Sequence, residues 1–378
     1  MRRAVMISLF PLLALGVIAL STSAQKRSPP NAAAAPEMSD DEVVNVNTTL
    51  VTVPVSVKDR SGKIVSDLRR EDFRLYEDGV EQEIVYFDAP QEPAGAKETG
   101  GANAGAAGKP FTVALLLDVS DSTQFKLEQI QSAANVFVNL LRPDDRVLVV
   151  AFDKRVQVLA EATNDRNVLR EAVARARTGG GTRLYNALDA VVSHRLNRVS
   201  GRKAVVLFTD GVDTASVGAT YDSTIRAAEE SDAAIYPIQY NTYGDFTDNP
   251  SRVTYTVGNL GGTAHMTRNG ELASEAYKRA TTYLRLLAEK TGGRFQYADN
   301  LKHLRQSFAN IASVLRQQYA LGYYPKNRTA SGAKRQIKVK VQADLLGPAA
   351  RPRARESYTV RARESYVDRA QTTAGTKQ

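Results

Sequence analysis

Cysteine is absent from this sequence. That absence excludes disulfide cross-links, thiolate metal sites and a lipid-modified N-terminal cysteine, so the chain must be held by hydrophobic cores. Histidine is nearly absent too: His194, His265 and His303 are the three present, and they stand too far apart in sequence to suggest a zinc cluster. No Gly-x-Ser-x-Gly elbow occurs, and none of the histidines carries a partner signal, which argues against a serine hydrolase. Gly108-Lys109 has Asn103 where a phosphate loop needs its first glycine and Pro110 where it needs Ser or Thr. The Walker pattern therefore fails at both places.

Long apolar runs are missing except for one, Ala4 to Leu20, between Met1-Arg2-Arg3 and Ser21-Thr22-Ser23-Ala24. A basic start, an apolar middle and a small-residue end make residues 1–24 an expected signal peptide, with no membrane span left after cleavage. The competing reading, an uncleaved anchor, needs about 20 apolar residues. On this reading the body of the chain is exported to the periplasm, the cell surface or the medium.

At 43% hydrophobic and 24% charged residues, the composition is that of a globular protein folding in water, and 378 residues suit two cores. The formal charge of +9 is concentrated: residues 326–378 hold thirteen Lys and Arg against four Asp and Glu, and the remainder is neutral in sum. That distribution argues against a nucleic-acid partner. Two readings of the basic end stay open, electrostatic contact with an anionic surface or polysaccharide and the solvated face of strands.

Residues 25–42 are Pro- and Ala-rich and are expected to be a flexible leader. Over 43–90, Val51, Val53, Val55 and Val57 alternate with polar residues as in a half-buried strand, with Pro54 suggesting a sheet edge. Phe73-Arg74-Leu75-Tyr76 and Ile84-Val85-Tyr86-Phe87 flank the Asp78-Gly79 turn signal as an expected hairpin. Residues 91–109 are a Gly/Ala linker. From 110 to 318 continuous apolar segments such as Val113 to Leu117 and Ala204 to Thr209 alternate with helical periodicity such as Ile130, Ala134, Phe137 and Leu141. That alternation predicts a doubly wound α/β domain with a mainly parallel sheet. Periodicity lapses over 241–282, which reads as a binding loop or an insertion. Residues 319–368 return to strand alternation and 369–378 form a tail. Neither β segment can build a core alone, so the two are expected to form one β-sandwich-like domain with the α/β domain inserted between them.

Three loops of the α/β region offer hard oxygen ligands. Asp118, Ser120 and Ser122 follow the first buried strand, Thr182 follows Gly179-Gly180-Gly181, and Asp210 with Gly211 ends another buried strand. Ligands of open α/β sheets bind beyond the carboxyl ends of the strands. A site of hydroxyls and few carboxylates suits a divalent cation, Mg²⁺ first with Mn²⁺ or Ca²⁺ as alternatives. Taken singly, Asp118 and Ser122 would be helix caps and Asp210-Gly211 a turn.

In this arrangement the chain resembles the von Willebrand factor A family, which includes integrin inserted domains and many bacterial surface proteins. Its metal-ion-dependent adhesion site reads Asp-x-Ser-x-Ser, a distant Thr and a distant Asp, and Asp118, Ser120, Ser122, Thr182 and Asp210 fill those places in order. The likeness extends to Pro143-Asp144-Asp145-Arg146-Val147 and to Ala288-Glu289-Lys290-Thr291-Gly292-Gly293. It implies a non-catalytic function in which the serines and the threonine touch the ion, the aspartates act mostly through water, and a partner's carboxylate completes the shell. Leu75-Tyr76-Glu77-Asp78-Gly79 and Leu321-Gly322-Tyr323-Tyr324-Pro325 look like those of a bacterial subgroup known from acidobacterial genomes.

Two other functions compete. A haloacid-dehalogenase-type phosphohydrolase needs a second Asp two residues after its nucleophile, but position 120 is Ser and Asp121 is one residue out of register. A cell-envelope scaffold would use the metal only to stiffen its loops, with Asp121 or Asp213 as the closing ligand.

Overall fold

The computed structural model describes residues 50–90, 110–199, 201–240, 242, 254–255, 264–267, 269–327, 333–341 and 359–367. The expected signal peptide, leader, linker and tail lie outside these residues. Four strands come first: β1 Val51–Lys58, β2 Phe73–Glu77, β3 Val80–Gln82 and β4 Tyr86–Asp88. The α/β part follows with β5 Thr112–Asp118, α1 Leu127–Leu140, β6 Arg146–Phe152, β7 Val156–Thr163, α2 Arg166–Arg175, α3 Leu184–Asp189, β8 Lys203–Thr209, α4 Tyr221–Glu230 and β9 Ala234–Tyr240. It continues with β10 Thr254–Tyr255, β11 Ala264–His265, α5 Ala273–Thr291, β12 Gln296–Ala298 and α6 Leu301–Arg316. The chain then returns to strands β13 Tyr319–Tyr323, β14 Lys334–Val341, β15 Thr359–Ala362 and β16 Ser365–Val367.

The central sheet runs β12-β9-β8-β5-β6-β7. All its pairs are parallel except β6 with β7. Every residue of β5 and β8 is buried because alternate side chains enter different cores. Val113, Leu115 and Leu117 pack with α1, α2 and α6, whereas Ala114 and Leu116 pack with α3, α4 and α5 on the other face. This is the doubly wound, mainly parallel fold that the alternation predicts. β7 is an antiparallel edge strand that the alternation did not reveal, since its residues are only half-buried.

The flanking strands form two further sheets, β15-β1-β13-β4 and β16-β14-β2-β3. Val53, Val55, Leu75, Tyr319, Leu321 and Ile337 share one core between them, so segments from both ends of the described chain make the sandwich together. Three local expectations need correction. β1 is not at an edge: it lies between β13 and β15, and Pro54 is accommodated because the β15 pairing begins only at Val55. Across the Asp78-Gly79 turn, β2 pairs with Val80–Gln82, while Tyr86–Asp88 crosses to pair with β13. Both turn residues have positive φ, +48° and +82°, as the tight two-residue hairpin demands. Finally, α5 begins at Ala273, inside the stretch that lacked periodicity. Its buried face there consists of Ala273, Ala276, Tyr277 and Ala280, too small and too polar to register as an apolar stripe.

Candidate metal centre

β5 delivers Asp118 to the carboxyl edge of the sheet, fully buried. Its Oδ1 accepts from the Ser120 N–H at 3.0 Å and its Oδ2 from the Thr209 hydroxyl, on the adjacent β8, at 2.6 Å. Beyond Ser120 the chain turns tightly, with the Thr123 N–H and hydroxyl both bonded to the Ser120 carbonyl, at 2.9 and 2.8 Å. The turn brings Ser122 back so that its Oγ lies 3.0 Å from Ser120 Oγ.

Asp210 sits one residue past β8 and is 3% exposed. The Val212 N–H donates to its Oδ1 at 3.0 Å, and the Thr242 and Tyr277 hydroxyls donate to its Oδ2 at 2.9 and 3.4 Å. Ser122 adds a further hydrogen bond to this carboxylate. Gly211 has φ +88°, and a Cβ there would stand 2.9 Å from both Ala280 and Leu284 of α5. Only glycine allows the loop to lie this close to the helix.

The glycine loop reaches the same edge by backbone contacts. The Gly179 N–H donates to the Val119 carbonyl at 2.9 Å, and Ser120 pairs with Gly179 in a parallel bridge. Thr182 is pinned to the segment after Asp210: its N–H donates to Thr214 Oγ1 at 2.9 Å, and its carbonyl accepts from the N–H groups of Thr214 and Ala215, both at 3.0 Å. The structure thus links Asp118, Ser120, Ser122 and Asp210 by side-chain hydrogen bonds. Thr182 is tied instead, through its backbone, to Thr214 and Ala215 of the segment after Asp210.

Several participants escaped the sequence reading. Thr209, Thr242 and Tyr277 are the neutral donors to the two aspartates, and Gln239 holds the Asp210 carbonyl through its Nε2 at 3.0 Å. Asp153, directly after β6, is fully buried. Its Oδ1 accepts from the Arg155 N–H at 2.6 Å, while Oδ2 accepts no hydrogen bond and has the Arg155 guanidinium 3.7 Å away. A Cβ on Gly179 would stand 1.8 Å from that Oδ2. The signal for Asp153 was available: it follows a buried strand adjacent to β5, on the ligand-binding edge. Asp213 has another task. Its Oδ2 accepts from the Tyr185 N–H at 3.1 Å and the Ser216 hydroxyl at 2.5 Å, and its Oδ1 from the Ser216 N–H at 3.1 Å.

Burial, and then the charge of Asp210 beside it, push Asp118 up to about 7. Burial raises Asp210 as well. All the hydrogen-bond donors named for the pair are neutral, and ionised carboxylates out of water are costly without a counter-charge. Among the described residues no three His, Asp or Glu cluster in a way that could hold a metal. An ion at this edge would therefore be held mainly by hydroxyls, with two carboxylates behind them. That donor set, oxygen only and dianionic, fits a hard divalent cation.

Residues 113–212 match the family model for the von Willebrand factor type A domain. The chain is 32% identical over 106 residues to an uncharacterized protein of Synechocystis, a match covering 27% of this chain and 25% of the relative, so the chain spans about a quarter of that protein's length. Among solved structures, a von Willebrand factor type A protein from Catenulispora acidiphila is 11% identical with a TM-score of 0.42, over 88% of this chain and 77% of that one. The proximal thread matrix protein 1 of the mussel byssus, with a zinc-occupied MIDAS motif, is 14% identical with a TM-score of 0.38, over 57% of this chain and 47% of the other. Among the described residues, no helix is long and apolar enough to cross a membrane.

Proposed function

We propose that this chain is an exported binding protein that captures a protein or cell-surface ligand through a divalent cation, Mg²⁺ first, held by Ser120, Ser122 and Thr182 with Asp118 and Asp210 behind them. The observation that carries the reading is the pair of buried carboxylates, Asp118 and Asp210, joined through the two serine hydroxyls and served only by neutral donors. When bound, the cation supplies a positive centre to which a partner's carboxylate can bind. The chain's own residues prepare the site. Thr209 and the Ser120 N–H orient Asp118, Thr242 and Tyr277 orient Asp210, and the short turn at Ser120 presents both serine hydroxyls on one side.

Catalysis by Asp118 is disfavoured by the same geometry. A nucleophilic carboxylate must reach its substrate, whereas this one is fully buried with both oxygens hydrogen-bonded. The scaffold reading wants a closing ligand from Asp121 or Asp213, and of these Asp213 is engaged in holding the start of α3 to Ser216.

Thermal unfolding with EDTA, Mg²⁺, Mn²⁺ and Ca²⁺, run on the wild type and Asp118→Ala, tests the proposal. A cation at about 100 times its dissociation constant stabilises the folded state by about 2.7 kcal/mol. Mg²⁺ or Mn²⁺ should raise the Tm of the wild type and leave the variant unmoved; equal responses in the two proteins would refute the site.

A further inference from the structure

A groove of about 1240 Å³ opens where the sandwich meets the α/β part, lined by β14, by the chain around Thr359 to Ser365 and by the C-terminal end of α5. It is remote from the candidate metal centre. Tyr277, which bonds Asp210, and Lys290, which lines the groove, are thirteen residues apart on α5, or about 20 Å at the helical rise.

The groove is strongly cationic, with five lysines and two arginines against two glutamates in its lining. β14 supplies the ordered part. Arg335, Ile337 and Val339 face the interior while Lys334, Gln336, Lys338 and Lys340 are exposed. Alternate residues of a strand lie about 6.6 Å apart, so the three ammonium groups form a row about 20 Å long. Lys58, Lys290 and Arg294 add charge from the facing walls. Part of this is neutralised, since Glu229 pairs with Lys334 at 2.9 Å and with Lys290 at 3.4 Å. Lys338 has no such partner among the described residues, and Lys340 lies 5.2 Å over the Tyr76 ring.

The volume exceeds the roughly 300–1,000 Å³ of small-ligand pockets, and the row of charges suits an extended occupant. The lining of the groove is drawn from β14, the Thr359 to Ser365 stretch and the end of α5 together, a concave arrangement that does not match a flat bilayer. Single-stranded nucleic acid is held on exposed aromatic faces, but here Tyr236 is buried and Tyr76 is covered by Lys340. Ser56, Gln336 and Thr359 add neutral polar groups of the kind that bond sugar hydroxyls. We infer that the groove binds an acidic polysaccharide, a linear glycan carrying an anionic group at each repeat.

Fluorescence-anisotropy titration of labelled polygalacturonate and poly(glycerol phosphate) with the full chain tests this. Polygalacturonate should bind and poly(glycerol phosphate), which lacks sugar rings, should bind more weakly, tighter binding of the latter contradicting the inference; binding should fade at about 1 M salt, where screening acts within about 3 Å. Lys338→Glu combined with Lys340→Glu changes two exposed side chains; it should keep the wild-type Tm and lose affinity by at least about tenfold through reversed local field. Asp118→Ala should bind the polymers as the wild type does, which separates this site from the metal centre. Undiminished binding by the double variant would overturn the inference. So would neutral dextran, polyglutamate, single-stranded DNA or phosphatidylglycerol vesicles binding as tightly as polygalacturonate.

Discussion

Gly179 and Asp153 show how single residues set the candidate centre. The space a side chain would need at Gly179 is already occupied by the Asp153 carboxylate, and the loop beyond Gly179 carries Thr182. Gly179→Ala should therefore cost about 1–3 kcal/mol, the usual range for overpacking, and should weaken the cation response by displacing Thr182. Combining it with Asp153→Ala should restore part of both losses; denaturant unfolding of the three variants with and without Mg²⁺ checks this. Asp118 supplies a second prediction. In cation-free protein it titrates at about 7, against about 3.9 in an unfolded chain. The folded state holds the proton more tightly, so its stability is full below about pH 4 and falls as pH rises through about 7. A bound cation favours the ionised pair, so the gain in Tm from Mg²⁺ should be larger at about pH 8 than at about pH 5. A gain that shrinks over that interval would contradict the assignment.

At the scale of elements, legibility depended on how a segment buries itself. β5, β6, β8 and β9 are apolar on both faces, and such runs announce buried parallel strands. The five proposed site residues follow strands or a glycine loop, so their order could be read directly. The first turns of α5 could not, because Ala273, Ala276, Tyr277 and Ala280 pack through small surfaces against Val212. Missing α5 meant missing Tyr277 and the Thr242 it bonds at 2.5 Å. The hairpin was misread for a similar reason. Val80 and Glu81 are exposed and give no strand signal, whereas the apolar Ile84 to Phe87 run belongs to another pairing. Tyr277→Phe keeps the ring and removes the hydroxyl shared with Thr242 and Asp210. It should cost about 1 kcal/mol and lower cation affinity modestly, as measured by unfolding and by calorimetry.

Across the whole molecule, the two cores meet at Arg202. Its guanidinium pairs with Asp88 of β4 at 3.1 Å, donates to the Gln318 carbonyl at 2.5 Å and lies 4.0 Å over the Phe111 ring. One side chain thereby joins a sandwich strand to the beginning and the end of the α/β part. Both partners of the ion pair are largely buried, so Asp88→Ala should cost about 3–5 kcal/mol, as expected when a buried charge loses its partner. Unfolding monitored separately by near- and far-ultraviolet circular dichroism would register that loss. The sandwich was foreseen because neither β segment could bury itself alone. The Arg202 clamp was not, since a single arginine between Gly201 and Lys203 carries no periodic signal.

The proposed function requires above all a cation held by hydroxyls in front of two buried aspartates. Calorimetric titration of Mn²⁺ into the wild type and into Ser120→Ala combined with Ser122→Ala tests it most directly, because the serine change removes two ligands while leaving Asp118 and Asp210 in place. Saturable binding at a single site is expected in the wild type, displaced by Mg²⁺ and lost in the double variant. Equal affinity and stoichiometry in both proteins would place the ion elsewhere and contradict the proposal.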